Sequence, residues 1–356
     1  MKPILRPFVF ILVAAMFAAC ENGNADGDGG DGGGAATSNG CYYALNSGLD
    51  ASNSSLTRYD KNSGNVTQDY FFLQNNRGLG NLPNDMLVYG SKMYIAVSGE
   101  MTVEVTDLDA KSVKQIACGA THQPRCLAAA GGKVYVTYYD GYVARIDTAT
   151  LEVESEVEVG RNPEQLAVVG NALYVANSGG LDWNTDKGYD KTVSVIDLGT
   201  FTETKKIEVA ANPTVVHADG AGVYVISQGN YGDVPPALQY IDSEGTVTIP
   251  ELCPKLSDMC YVSGAVYGLL QEYDALWNTI NSYIYYNKVK NVAETSWIKD
   301  EVLPAKPYKL SAVGDAVAVT SGDYTSDGDV CLYDTDGMLL AKFAAGLYPV
   351  KVVKVD

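Results

Sequence analysis

Short runs rich in Val, Ile, Leu and Tyr recur along most of the chain and are separated by turn-forming residues. The clearest example is the turn Gly170-Asn171, the run Leu173 to Ala176 and the run Val193-Ser194-Val195-Ile196-Asp197. Such runs are typical of short strands, and a high content of Tyr (25) and Gly (36) agrees with strands joined by tight turns. The pattern predicts an all-β chain.

The runs belong to a repeat that is headed by a proline. The heads are Pro83, Pro124, Pro163, Pro213, Pro254, Pro307 and Pro349, and the first and last are 266 residues apart, a mean step of about 44. Eleven residues after four of them stands a Tyr in a predicted strand, and a later strand in most copies ends in Asp: Tyr94, Tyr135, Tyr174 and Tyr224, then Asp107, Asp147, Asp197, Asp242 and Asp334. A repeat of this length with four short strands is the signature of a β-propeller blade. We predict a seven-bladed β-propeller over residues 41–356.

The last blade is shared between the two ends of the chain. Pro349 heads a predicted inner strand, Val350 to Val355, whereas Cys41 to Leu45 and Ser55 to Asp60 read as a second and a third strand. Joining them would close the ring and leave no free sheet edge between its ends. The fifth blade is the weakest copy, because Pro254 lacks the Tyr eleven residues later and Asn287 replaces the closing Asp.

The N-terminal segment reads as an export and attachment signal. Lys2 and Arg6 precede an apolar run from Phe8 to Ala19, too short to span a bilayer, and Phe17-Ala18-Ala19-Cys20 resembles a bacterial lipobox. This predicts a lipoprotein signal peptide over 1–19, lipidation of Cys20 and a flexible Gly- and Asp-rich tether over 20–40. An ordinary cleaved signal is the alternative. We expect a lipid-anchored protein of the outer membrane that faces the cell surface, with the periplasmic face as the other option.

Propeller geometry assigns the binding residues to one face. The loops that lead into inner strands and those that join second to third strands lie on the same side of the disc, and the latter are the long ones: 178–191, 229–236, 271–281 and 321–329. Aromatic rings beside amides and cations on such loops favour recognition of a flat or ring-shaped ligand. The predicted ligand-binding residues are Trp183, Tyr189, Tyr231, Tyr273, Trp277, Tyr324, His122, Arg125, Arg161, Asn162, Asn177, Asn212 and Gln228. The alternative is that these rings cover the rim of the core and the arginines pair with acidic neighbours.

Composition and motifs narrow the chemistry further. The net charge of −18 makes nucleic-acid binding a poor fit, and no motif of catalysis is present, so we predict no enzyme. Cys118 with Cys126, and Cys253 with Cys260, are predicted disulfides that clip two loops of the binding face. No metal or other cofactor is predicted, with calcium at Asp323 to Asp329 as a weaker alternative. His217, on an inner strand, is predicted to be a hydrogen-bonded residue of the central channel.

Two groups of residues carry a family resemblance. Tyr174-Val175-Ala176-Asn177-Ser178 and the run Thr192 to Asp197 resemble the YncE-like family of seven-bladed propellers. Ser227 to Asp233 and Arg77-Gly78-Leu79-Gly80-Asn81 are similar to its Bacteroidetes lipoprotein branch. That branch includes cell-surface proteins of the BtuG type, which bind cobalamin and pass it to a TonB-dependent transporter. The resemblance therefore implies cobalamin or another corrinoid as a transported ligand and an outer-membrane transporter as partner.

The residues alone leave the ligand open. The four large rings Trp183, Tyr231, Tyr273 and Trp277 suit the faces of a corrinoid, the Asn and Gln side chains its amide rim, and Arg125 or Arg161 its phosphate. The same set of side chains suits a glycan. A propeller that docks on a transporter without a small ligand is a third hypothesis.

Overall fold

The computed structural model describes residues 40–50 and 52–356, which form seven four-stranded antiparallel sheets. In chain order the elements are β1 (Cys41–Asn46), β2 (Ser55–Asp60), β3 (Val66–Thr67), α1 (Tyr70–Asn75), β4 (Pro83–Tyr89), β5 (Lys92–Val97), a 3₁₀ turn (Ser98–Glu100), β6 (Thr102–Asp107), β7 (Ser112–Ala117), β8 (Pro124–Ala130), β9 (Lys133–Tyr138), β10 (Tyr142–Asp147), β11 (Glu152–Glu158), β12 (Pro163–Val169), β13 (Ala172–Asn177), a 3₁₀ turn (Gly180–Asp182), β14 (Thr192–Asp197), β15 (Thr202–Glu208), β16 (Pro213–Ala218), β17 (Gly222–Ser227), β18 (Ala237–Asp242), β19 (Val247–Thr248), β20 (Asp258–Val262), β21 (Ala265–Tyr273), β22 (Thr279–Asn287), β23 (Val292–Glu294), β24 (Pro307–Ala312), β25 (Ala316–Ser321), β26 (Asp327–Asp334), β27 (Leu339–Leu347) and β28 (Pro349–Val355).

The sheets are the seven blades of a β-propeller. Blades 1 to 6 take four consecutive strands each, from β4–β7 to β24–β27, and blade 7 has the order β28-β1-β2-β3. The inner strand of blade 7 therefore comes from the C-terminal end, and Val355 pairs with Cys41 as predicted. The predicted signal peptide, Cys20 and the tether lie outside the described residues, apart from Gly40. Among the described residues, no helix is long and apolar enough to cross a membrane.

The core is divided among the seven interfaces between neighbouring blades. Each interface has its own cluster of buried side chains, such as Leu127 and Val136 of blade 2 against Tyr94 and Val103 of blade 1. The tyrosine eleven residues after four of the heads is part of these clusters, and Tyr94, Tyr174 and Tyr224 are at most 5% exposed. The repeated Tyr is a packing residue, which explains why it recurs.

Blade 5 corrects the predicted position of one head. Its inner strand begins at Asp258, and Met259 pairs with Gly268 in the way that Leu166 pairs with Val175 in blade 3. This register places the buried Leu256, and not Pro254, at the position of the repeat proline, with Tyr267 eleven residues later. The spacing of the repeat is therefore kept in blade 5, where Leu256 stands in place of the proline.

The Asp that closes the third strand in most blades holds the next turn. The carboxylate of Asp147 accepts hydrogen bonds from the backbone N–H groups of Ala149 (2.9 Å) and Thr150 (2.7 Å). Its salt bridge to Lys133 and these backbone bonds hold the pKa of Asp147 well below its usual range. In blade 5 the Oδ1 of Asn287 accepts the Lys290 N–H at 2.8 Å, so Asn replaces Asp without loss of the turn.

The two predicted disulfides are wrong, because Cys118 and Cys253, one member of each pair, are free thiols. Cys118 packs in the interface of blades 1 and 2, whereas Cys126 packs in that of blades 2 and 3. Cys253 and Cys260 are likewise divided between the interfaces on either side of blade 5. The two members of each pair therefore lie on opposite sides of a blade.

The Arg77-Gly78-Leu79-Gly80 segment connects blade 7 to blade 1. Arg77 Nη2 donates to Glu104 Oε1 at 2.8 Å and Oε2 at 2.9 Å, and the Glu104 carboxylate is buried. At Gly80, with φ of 115°, a Cβ would lie 2.5 Å from Glu100 Cγ. This motif is structural, since its arginine pins the connection to β6 and one of its glycines is sterically required.

Candidate functional site

The longest connections within blades lie on one side of the disc, which we call the loop-rich face. It carries the second-to-third connections of blades 3 and 4, 178–191 and 228–236, and those of blades 5 and 6, 274–278 and 322–326. The loops into the inner strands lie on the same side, because each inner strand starts there. On the opposite side, blades 2 and 3 turn with residues 131–132 and 170–171 alone.

All the exposed Tyr and Trp side chains of the described residues belong to this face. They are Trp183 (52% exposed), Tyr231 (50%), Tyr273 (60%), Trp277 (78%) and Tyr324 (40%). Each lies in, or at the strand end of, a second-to-third connection. Exposure of a large ring costs free energy because apolar area stays in water, so five such rings on one face indicate a binding surface.

The rings form small groups. Tyr189, which is partly buried, meets Tyr231 edge to face with centroids 6.4 Å apart. Tyr273 and Trp277 are 6.1 Å apart on a hairpin that extends β21 and β22 beyond the disc. Tyr324 stacks on Tyr348 at 4.3 Å, and their hydroxyls hydrogen-bond at 2.7 Å. Trp183 has no ring partner in the described residues, so its face is open.

The two predicted arginines and His122 all contact carboxylates. Arg125 is 1% exposed and is paired with Glu164, Nη2 to Oε2 at 2.8 Å. Its guanidinium also lies 4.5 Å from the centroid of the Tyr139 ring. Arg125 is therefore part of the fold and does not reach a ligand at the surface, which corrects its predicted role.

Arg161 and His122 are partly exposed but engaged. Arg161 pairs with Asp182 and lies 3.5 Å from Asp190. His122 Nδ1 is 2.8 Å from Asp140 Oδ2, and its ring stacks on Tyr138 at 4.7 Å. A ligand phosphate would have to compete with these carboxylates.

The predicted amides act mainly inside the protein. Asn177 is fully buried, and its Nδ2 donates to Thr192 and Ser194 at 2.9 Å each. Gln228 Nε2 donates to the Thr214 hydroxyl at 3.1 Å and the Ser257 carbonyl at 2.9 Å. These contacts join neighbouring strands and blades and leave those two side chains turned inward.

Asn162 and Asn212 serve the loops that lead into inner strands. Each precedes a repeat proline and has positive φ, 46° and 62°, a conformation that Asn tolerates better than most residues. Asn162 Nδ2 donates to the Tyr139 carbonyl at 2.9 Å, and its Oδ1 accepts the Leu181 N–H at 3.1 Å. Burial raises the pKa of Tyr231, a ring of the exposed set, and Asn212 partly opposes this shift.

The central channel below the face is lined by charged side chains that pair with each other. Asp85 lies 3.5 Å from Lys351, and Asp258 lies 3.3 Å from Lys309. Burial raises the pKa of Asp85 to about 6, although Lys351 opposes the shift. Asp85 Oδ2 also accepts the Leu127 N–H at 2.8 Å, which ties blade 1 to blade 2.

His217 lies in this channel, as predicted, and is 4% exposed. Desolvation and then Lys351 lower its pKa to about 3, while a backbone hydrogen bond at Met259 opposes the shift. The residue is therefore neutral at neutral pH. Its Nε2 has no hydrogen-bond partner among the described residues.

Sequence reasoning missed three residues near the channel mouth: Tyr139, Glu164 and Tyr308. Glu164 and Tyr308 directly follow a repeat proline, as Arg125 does, and that position was the available signal. The ring of Tyr308 lies 4.7 Å from Tyr348 and extends the tyrosine group of blades 6 and 7 toward the channel. Tyr139 gave no such signal, because its role comes from its contact with Arg125.

The weaker calcium hypothesis has no structural support. The Asp323 carboxylate meets Lys306 and accepts backbone hydrogen bonds from Thr325 (2.8 Å) and Ser326 (3.0 Å). Across residues 40–50 and 52–356, no group of three or more His, Cys, Asp or Glu side chains is placed to hold a metal ion.

Comparison with known proteins identifies the family. Residues 39–266 match the profile of DUF5074, a domain of unknown function. The chain belongs to the DUF5074 family. Comparison with curated proteins gave no match.

Solved structures that resemble the chain carry the same kind of fold. Hydrazine synthase of Kuenenia stuttgartiensis is 18% identical with a TM-score of 0.61, over 74% of this chain and 86% of that chain. The computationally designed Ika8 protein is 13% identical with a TM-score of 0.48, over 73% of this chain and 86% of that chain. At such identities the likeness concerns the fold alone.

Proposed function

We propose that this DUF5074 protein is a non-catalytic receptor that captures a ring-shaped ligand on its loop-rich face, with cobalamin or another corrinoid as the first candidate. The observation that supports it most is the restriction of all exposed Tyr and Trp side chains to that face. Rings on loops held by a rigid scaffold bind flat apolar surfaces at low cost in side-chain entropy. The resemblance of the sequence to YncE-like and BtuG-type proteins is what makes a corrinoid the first candidate.

Binding is favoured over catalysis by the state of the ionisable groups. The groups nearest the channel mouth, Arg125 and Glu164, form a buried pair. A general acid or base must be free to exchange a proton with a substrate, and the members of this pair are bound to each other. His122 Nδ1 contacts Asp140, and its Nε2 lies 3.7 Å from Glu156.

The proposed setting is the outer membrane, with the propeller tethered through lipidated Cys20 and facing outward. In this setting a TonB-dependent transporter would receive the ligand. Both statements rest on the sequence of residues 1–40 and on the family resemblance.

The test is a calorimetric titration of the purified protein with cyanocobalamin. We expect one-to-one binding and co-elution of the red corrinoid with the protein. Absence of heat and of colour would rule out the corrinoid as ligand.

A glycan is the second candidate, and the contacts of the predicted amides and cations favour it. Asn177 and Gln228 are turned inward, and Arg125 is buried, so these residues do not reach the amide rim or the phosphate of a corrinoid. Sugar rings need only the exposed aromatic faces and polar loop groups. Retardation in gels that contain a polysaccharide would identify this class.

A further inference from the structure

The loops that carry the exposed rings are also acidic. The four segments 178–191, 229–236, 271–281 and 321–329, which correspond to these connections and adjoining strand ends, contain nine carboxylates and two lysines. The carboxylates are Asp182, Asp186, Asp190, Asp233, Glu272, Asp274, Asp323, Asp327 and Asp329. The lysines are Lys187 and Lys191.

Cations from neighbouring elements neutralise only part of this charge. Arg161 reaches Asp182 and Asp190, and Lys306 reaches Asp323. Lys255 pairs with Glu272, and Lys342 lies 3.0 Å from Asp329. Asp186, Asp233, Asp274 and Asp327 have no cationic partner among the described residues. Nine carboxylates therefore face six cations, namely Lys187, Lys191 and the four that pair from neighbouring elements, so the surface around the rings keeps an excess of negative charge.

We infer that this face selects against anionic ligands and binds a ligand that is neutral or positively charged where it meets the rings. Excess carboxylates repel an anion and attract a cation over roughly a Debye length of about 10 Å at moderate salt. A cation that stacks on Trp or Tyr gains a further electrostatic attraction to the ring face. The inference rests on the proposed function and adds the charge class of the ligand to it.

The experiment uses three corrinoids that differ by one charge at the same side chain: cyanocobalamin, its monocarboxylic acid and its aminoethyl amide. For the wild-type protein at low salt we expect the affinity to rise from the carboxylic acid through cyanocobalamin to the amine. High salt should reduce the differences in affinity among the three corrinoids. Equal affinities for all three, with binding retained, would overturn the inference and leave the proposed function in place.

A matched pair of variants locates the effect. Asp186→Asn with Asp327→Asn removes two exposed carboxylates from the acidic connections, and Glu244→Gln with Asp336→Asn removes two from turns on the opposite side of the disc. The first pair should narrow the preference for amine over acid by about threefold at low salt, and the second should leave it unchanged. If the two double variants change the preference for amine over acid equally, the effect comes from the net charge of the protein, and the inference is contradicted.

A different set of ligands distinguishes failure of the proposed function from failure of the inference. If the wild-type protein binds no corrinoid, the same comparison is made with neutral cello-oligosaccharides, cationic chitosan oligomers and anionic oligogalacturonates. Binding of the anionic series as tight as the cationic one overturns the inference. Absence of binding to every series overturns the proposed function and the inference with it.

Discussion

The central channel and the loop-rich face both concentrate polar and aromatic side chains, but they use them in opposite ways. In the channel, charged side chains such as Asp85 and Lys351 are at most 4% exposed and meet each other. On the loop-rich face, Trp277 is 78% exposed, and its one ring contact among the described residues is with Tyr273 of its own hairpin. The paired charges of the channel hold the blades together. The exposed rings of the loop-rich face leave apolar surface in contact with water. Exposure and pairing, more than residue type, therefore separate structural residues from candidate binding residues in this fold.

The largest expected effect concerns the Arg125–Glu164 pair of the channel mouth. Glu164→Leu should lower the free energy of unfolding by about 3–5 kcal/mol, because it leaves a buried guanidinium without its carboxylate. The double variant Arg125→Met with Glu164→Leu should recover most of that loss, since it removes both charges. Urea unfolding measures both. A loss below about 1 kcal/mol in the single variant would show that the pair is not desolvated.

Two tryptophans provide a direct contrast between core and face. Trp297, 3% exposed, packs edge-on against Tyr267 and Tyr333 between blades 5 and 6, whereas Trp277 is exposed. Trp297→Ala should cost about 3–5 kcal/mol of stability, and Trp277→Ala less than about 0.5 kcal/mol. Similar losses in the two variants would mean that the exposed ring supports the fold.

The pH dependence of stability provides a smaller effect, with opposite signs at two channel residues. The pKa of His217 falls from 6.5 to about 3 on folding, so its contribution is full above pH 6.5 and is lost as the pH falls toward 3. The pKa of Asp85 rises from 3.8 to about 6, so its contribution is full below 3.8 and is lost as the pH rises to 6. Between pH 6.5 and 4, His217→Gln should therefore flatten the decline of the melting temperature, and Asp85→Asn should steepen it.

Melting curves of both variants at half-unit pH steps check these signs. Only the slopes are compared, because either change also alters stability at neutral pH. Parallel slopes in the wild-type protein and His217→Gln would show that the imidazole is not desolvated.

The fold could be predicted from the sequence because its signals are local and repeated. A proline, a tyrosine eleven residues later and a closing Asp recur in most copies, and each has a role inside its own blade or the adjoining interface. The closure of blade 7 followed from strand runs at both ends. The one misplaced head, Pro254, arose because Leu256 fills the same buried position without being a proline.

The candidate site could be predicted only in part. Long loops predicted the exposed rings, since a ring in a long connection has no neighbouring strand to cover it. The roles of Arg125 and Asn177 depend on partners such as Glu164, 39 residues away, and Thr192 across a strand pair. The prediction of the disulfides was wrong for a related reason, because closeness in sequence does not reveal on which side of a blade each cysteine lies.

The central claim is that the exposed rings of the loop-rich face bind the ligand and do not support the fold. The most direct measurement is a calorimetric titration of the wild-type protein, of Trp183→Ala with Trp277→Ala, and of the control Phe72→Ala. The control removes a 51% exposed ring from α1, whose Asn75 donates to the Ala110 carbonyl in the β6–β7 turn on the opposite side of the disc. The account predicts that the double variant loses about tenfold or more in affinity for cyanocobalamin or the glycan that binds, while its melting temperature and the control stay near the wild-type values. Unchanged affinity in the double variant, or a loss of folding in its place, would contradict it.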